Sequence, residues 1–275
     1  MTVKNDKCFF WKIRIGDHTA FLIGSIHLMP KNMHPLPDKF EKAFSLSPII
    51  VIETNPDDVT SHEVRQYVRS VGFYPHGETI WKNISAKMQK KLMQKLSEKQ
   101  FPVHMAEKIR PWLLSTMLED KEEEDSDSKM HHALGIDMYF FRKALQEGKT
   151  LMFLETAQDQ IDCTAKLPPA QQEFLLKDAL EKKLAKGEIP LHKVLELWKK
   201  GDADTLEFHY RNHHKKHMEI YRSVMVRRNI RWVKKMEQMF QLRQNLMIIA
   251  GGGHMGGPHG LVRLLADKGY QIVQE

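Results

Sequence analysis

The chain has 275 residues, 41% of them hydrophobic and 28% charged, with 42 Lys and Arg against 35 Asp and Glu. That composition supports a sizeable apolar core and excludes wholesale disorder. No apolar run approaches the roughly 18 residues of a membrane helix, and the first twenty residues lack the apolar stretch of a secretory signal.

Phe9–Ile15 and Thr19–Ile23 flank Gly16-Asp17-His18 and read as a hairpin on a three-residue turn; the second strand runs into Gly24-Ser25-Ile26-His27. Pro35-Leu36-Pro37 leads into a short helix with Phe40, Ala43 and Phe44 on one face. Ile49–Ile52 is a continuous apolar run of the kind found in buried parallel strands, and it ends in Glu53-Thr54. Helices are expected over Asp57–Val71, Ser85–Lys99, Pro111–Leu118 and Gly135–Glu147, with a charged loop at Lys121–Lys129. Thr150–Leu154 is a second buried strand, ending in Glu155-Thr156.

From Pro169 to Gln241 the pattern is almost wholly helical, broken near Gly187–Pro190 and Gly201. Within it, His209 to Lys235 holds nine Lys/Arg against Glu219 alone and reads as one long basic helix with a solvated face. No RNP, KH or zinc-finger pattern accompanies it, so nucleic acid is not an expected partner. His213 and His217, four residues apart, read as part of that face. Leu246–Ala250 is a strand, Gly251-Gly252-Gly253-His254 a glycine turn, Gly260–Lys268 a helix and Tyr270–Val273 a last strand. Cys8 and Cys163 form no C-x-x-C pair and are expected to be reduced, in keeping with a cytoplasmic location.

Strands separated by helical crossovers indicate an α/β fold with a central, mostly parallel sheet. A single domain is expected, with its core at about 9–160 and 243–275 and a helical cap at about 165–242.

Two signals recur. Ile50-Val51-Ile52-Glu53-Thr54 matches Met152-Phe153-Leu154-Glu155-Thr156, and Phe21–Leu28 matches Ile248–Met255, each containing Gly-x-x-His. Two repeated halves thus each bring an imidazole and a carboxylate to the carboxyl ends of strands, where open α/β sheets bind ligands. Such a set of N and O donors could hold a divalent metal, with a remaining carboxylate free to take a proton.

The sequence resembles the TraB/GumN/PrgY family, relatives of the animal Wnt-inactivating TIKI proteases. The resemblance is carried by Gly24-Ser25-Ile26-His27, Leu36-Pro37, Ile52-Glu53-Thr54, Arg110-Pro111-Trp112, Gly135-Ile136-Asp137, Leu154-Glu155-Thr156, Arg228-Asn229 and the closing GGGHMGGPHGLVRLLADKGY. Ser25 stands where the family usually has Thr, which keeps the hydroxyl. The resemblance implies a fold like that of erythromycin esterase and the haem-linked ChaN proteins, and metal-dependent peptidase chemistry. It carries His27, Glu53 and His254 over as site residues, with Glu155 and Arg228 as companions.

The resulting expectation is a hydrolase of peptides. His27, His254 and Glu53 would bind Mn, Co or Zn, one of Glu53 and Glu155 would act as base, and Arg228 would meet an oxyanion or a substrate carboxylate. Asn229 and His259 would stand behind the ligands. The alternatives are a protein that sequesters a peptide or small molecule without cleaving it, and a metal-independent esterase in which Glu53 orients His27 as base.

Overall fold

The computed structural model describes residues 7–27, 29–30, 33–118, 130–131, 135–181 and 189–275. The eight strands are β1 (Phe10–Ile15), β2 (His18–Ser25), β3 (Met29–Pro30), β4 (Ile49–Ile52), β5 (Met130–His131), β6 (Thr150–Phe153), β7 (Leu246–Gly251) and β8 (Gln271–Gln274). Six form one sheet in the order β6-β4-β7-β2-β1-β8, while β3 and β5 make a separate two-stranded ribbon. The neighbours from β6 to β2 are parallel; β1 is antiparallel to both β2 and β8.

Every residue of β4 and β7 is buried. Their unbroken apolar sequences follow from that position, because a central parallel strand has both faces covered by helices. Strands with matching sequences are neighbours: β4 lies beside β6, and β7 beside β2. The match is one residue out of step in space, for Ser25 stands opposite Gly251 and Ile52 opposite Phe153.

Most of the expected helices are present. The helix Asp38–Leu46 buries Phe40, Ala43 and Phe44, and Ala86–Glu98 buries Met88, Leu92 and Leu96 at helical spacing. Three local expectations need correction. Ile15 pairs with His18, so the hairpin turn has two residues rather than three. The helix expected over Asp57–Val71 is a short 3₁₀ turn, Pro56–Thr60, followed by a helix His62–Gly72; Asn55 and Ser61 each supply a side-chain cap, and the second cap restarts the chain. The basic stretch is not one helix: it passes from Ala203–His213 to Met218–Tyr221, through a π turn at Arg222–Val226, into Arg227–Phe240. The charged loop expected at 121–129 lies outside the described residues.

Two apolar clusters hold the molecule. The larger wraps the sheet, and the smaller joins Ile80–Leu118 to Leu176 of the helix Pro169–Leu180. Cys8 and Cys163 are both buried. No helix among the described residues is long and apolar enough to cross a membrane.

Candidate active site

The parallel strands deliver their carboxyl ends to one edge of the sheet, and the polar residues that follow them meet there. Glu53 follows β4, Glu155 follows β6, His27 follows β2, and Gly251 closes β7. The helix Arg227–Phe240 crosses above this edge and buries Arg228, Asn229 and Trp232 toward it.

Arg228 organises the centre. Its Nε donates to both oxygens of Glu155, at 3.0 and 3.2 Å, and Nη2 donates to Glu155 Oε1 at 2.6 Å and Glu53 Oε2 at 2.7 Å. Trp232 stacks beneath the guanidinium, 4.5 Å from its ring centroid, and its Nε1–H donates to Glu155 Oε2 at 3.1 Å. Both oxygens of Glu155 are thereby engaged, and its side chain is only 2% exposed.

The two carboxyls are tuned apart. Desolvation would raise Glu53, but His254, Arg228 and the N–H of Gly251, which donates to Oε1 at 2.5 Å, hold it below its ordinary value. Glu155 is raised, chiefly by desolvation, with the like charge of Glu53 adding to it. Of the pair, Glu53 is the one that lines open space.

The imidazoles are tuned apart as well. His254 is buried: its Nδ1 lies 2.6 Å from Asn229 Oδ1, and its Nε2 lies 3.1 Å from Arg228 Nη1. Burial drives it down to about 3, and Arg228 reinforces the effect against the opposing charge of Glu53. A neutral ring with Nδ1–H donating to Asn229 leaves the Nε2 lone pair facing the site. His27 has a side chain 59% exposed, and its Nδ1 lies 3.1 Å from Asp137 Oδ2. That hydrogen bond, with the charges of Asp137 and Glu53, pushes His27 up to about 9 against desolvation.

Asp137 is the site residue that motif reading left without a role. It sits in the first turn of the helix Ile136–Gln146, where Ser25 Oγ donates to its Oδ1 at 2.6 Å. Gly135 lets this helix start against β2, since a Cβ there would overlap the carbonyl oxygen of His27. The only sequence signal was the short Gly135-Ile136-Asp137, more than a hundred residues from its partners. It also corrects one expectation: the carboxylate that orients His27 belongs to Asp137, not Glu53.

Gly251 sets the width of the gap. A Cβ on it would lie 3.2 Å from Glu53 Oε1 and 3.6 Å from both His254 Cδ2 and His27 Nε2. Behind these residues, Asn229 Nδ2 donates to the carbonyls of His254 and His259, at 3.2 and 2.8 Å. His259 thus contributes its backbone, while its ring is exposed. Thr156 is not part of the chemistry: it forms a capping box with Asp159 at the start of the helix Ala157–Ala165. His213 and His217 lie elsewhere, near Asp178 and stacked on Phe174.

His27, His254 and Glu53 are the residues that could hold a divalent ion. Each histidine has Nδ1 tied to an oxygen, the arrangement that aims Nε2 at a metal, and a carboxylate stands with them. As arranged, no three His, Cys, Asp or Glu side chains among the described residues are gathered to hold an ion. The guanidinium of Arg228 lies against Glu53, Glu155 and His254 together.

No curated protein and no solved structure matches the chain. A family model described as the TraB/PrgY/gumN family does match, over residues 9–274. The match spans the whole sheet and every residue of the cluster just described, and the chain therefore belongs to the TraB/PrgY/gumN family.

Proposed function

We propose that the protein is a metal-dependent hydrolase that cleaves an amide bond in peptides. The observation that carries this reading is the pair of histidines with Nδ1 held by Asp137 and Asn229, flanking the anionic Glu53 beside Gly251. His27, His254 and Glu53 would hold Mn, Co or Zn, the last two exchanging N–H groups of Arg228 for the ion. Bound there, the ion would supply Lewis-acid polarisation of the scissile carbonyl.

The chain's own groups take the remaining tasks. Glu155 keeps its hold on Arg228 through Nε and Nη2, so it acts as a positioning residue. The Nη1 and Nη2 N–H groups then face the gap, where they would stabilise negative charge developing on the carbonyl oxygen. Asn229 locks the ring orientation of His254, and Asp137 that of His27.

Chelator-stripped protein should be inactive on a peptide mixture and recover with Mn, Co or Zn, as read by mass spectrometry of the products. His27→Ala and His254→Ala should lose bound metal. Glu155→Gln should retain it but turn over at least tenfold more slowly. A metal-independent reading rests on the Asp137–His27 pair, which is also how a carboxylate orients a general base. Cleavage that ignores chelation would select it. Peptide binding that survives metal removal, with no cleavage under any metal, would select sequestration.

A further inference from the structure

A cavity of about 220 Å³ opens beside Glu53. It is smaller than the roughly 300–1,000 Å³ of pockets that enclose a whole small molecule, so it suits one group of a larger one. Its lining includes the polar His27, Glu53 and Asp137 and the apolar Ile52, Val59 and Met138.

Val59 is the informative residue. It stands on the 3₁₀ turn Pro56–Thr60, which buries none of its side chains. The turn is nonetheless fixed: Asn55 Oδ1 accepts from the N–H of Asp57, Asn55 Nδ2 donates to Asp58 Oδ1 at 3.0 Å, and Pro56 sets the first position. Val59 is therefore held in place yet left 54% exposed, without serving the core. Water is expelled from it only when another apolar group covers it. Met138, which also lines the cavity, is half-buried, with an unbranched side chain that adapts to the shape of what it meets. Among the described residues no Lys or Arg lines the cavity, and Asp57 and Asp58 sit on the same turn as Val59.

We propose that this cavity is the specificity pocket, taking one medium-sized aliphatic side chain or acyl group directly beside the scissile carbonyl, with Val59 and Met138 as the residues that select it. The proposal rests on the hydrolase reading above. Val59 and Met138 line the same cavity as His27 and Glu53, so an aliphatic group seated on the first two would bring its neighbouring carbonyl to the last two.

The test separates the two readings. Protein carrying ¹³C-methyl methionine is titrated with N-acetyl-leucinamide, N-acetyl-asparaginamide and N-acetyl-lysinamide, the Met138 methyl being assigned by its loss in Met138→Leu. Leucinamide should shift that methyl saturably and bind at least about tenfold more tightly than its polar near-isostere asparaginamide, the order of discrimination an apolar pocket supplies. Val59→Ser should weaken leucinamide about fivefold and leave asparaginamide unchanged. Equal affinities, a preference for lysinamide, or an unmoved Met138 methyl would overturn the pocket. In a second arm, metal-reloaded protein digests a peptide mixture. Cleavage beside an aliphatic residue, with the preference flattened in Val59→Ser, supports the proposal. Cleavage without that preference overturns it and leaves the hydrolase reading standing. Selective binding with no cleavage keeps the pocket and removes the hydrolase reading.

Discussion

Arg228 carries more of the site than any other side chain. It is 7% exposed and bonded to two carboxylates, an imidazole and the carbonyl of Val224, with Trp232 packed on its face. Truncating one partner of a buried ion pair leaves the other desolvated and uncompensated. Arg228→Ala should therefore cost about 3–5 kcal/mol, measured by urea unfolding, because Glu155 would be stranded. Arg228→Met combined with Glu155→Gln should cost less, since Glu53 alone is then left without the guanidinium. Gly251 makes the opposite kind of prediction. Its φ of −52° and ψ of 136° suit any residue, so Gly251→Ala should leave the thermal transition nearly unchanged. The added methyl would crowd Glu53 Oε1 and His27 Nε2, and activity on a cleaved peptide should fall at least tenfold.

Elements decide which of these residues could be read from sequence. His27, Glu53, Glu155 and His254 were legible because each follows an apolar strand, and strand ends converge in a parallel sheet. Asp137 was given no role because it belongs to a helix start, where an acid is usual for reasons of capping and dipole alone. Trp232 looked like any core aromatic at helical spacing; its indole N–H on Glu155 has no sequence signature. The π turn at Arg222–Val226 was invisible, since one extra residue per turn changes no composition, yet it sets the phase in which Arg228 enters the site. The helices Pro169–Leu180 and Ala203–His213 offer a test of their own. His214 is buried between them, its Nδ1 3.0 Å from the carbonyl of Tyr210, with Asp178, His213 and His217 around it. Burial holds its pKa below the ordinary 6.5, aided by His213 and His217 against Asp178. Protonation then favours the unfolded chain, so the contribution is present above about pH 6.5 and lost as pH falls below it. His214→Asn should lose less stability than the parent between pH 7 and 5, as followed by thermal melts.

Across the whole molecule, the site and the smaller apolar cluster are built from different residues. Leu92 is fully buried in that cluster, which contains none of the polar residues gathered at the sheet edge. Leu92→Ala should cost about 2–5 kcal/mol by denaturant unfolding. The kcat/KM of the protein that remains folded should stay within about twofold of the parent. Strand order was less accessible from sequence than strand identity. That β7 is inserted between β4 and β2 depends on crossovers across more than a hundred residues, for which local patterns carry no information.

The two Gly-x-x-His segments lie on adjacent strands but one residue out of step, and the helix Arg227–Phe240 covers only the second. Here one end is wet at His27, whose side chain is 59% exposed, and the other is dry at His254, which is buried. The gap therefore has a polarity of its own. A ligand whose backbone also has a direction, as a polypeptide's does, meets two inequivalent orientations and is accepted in one of them.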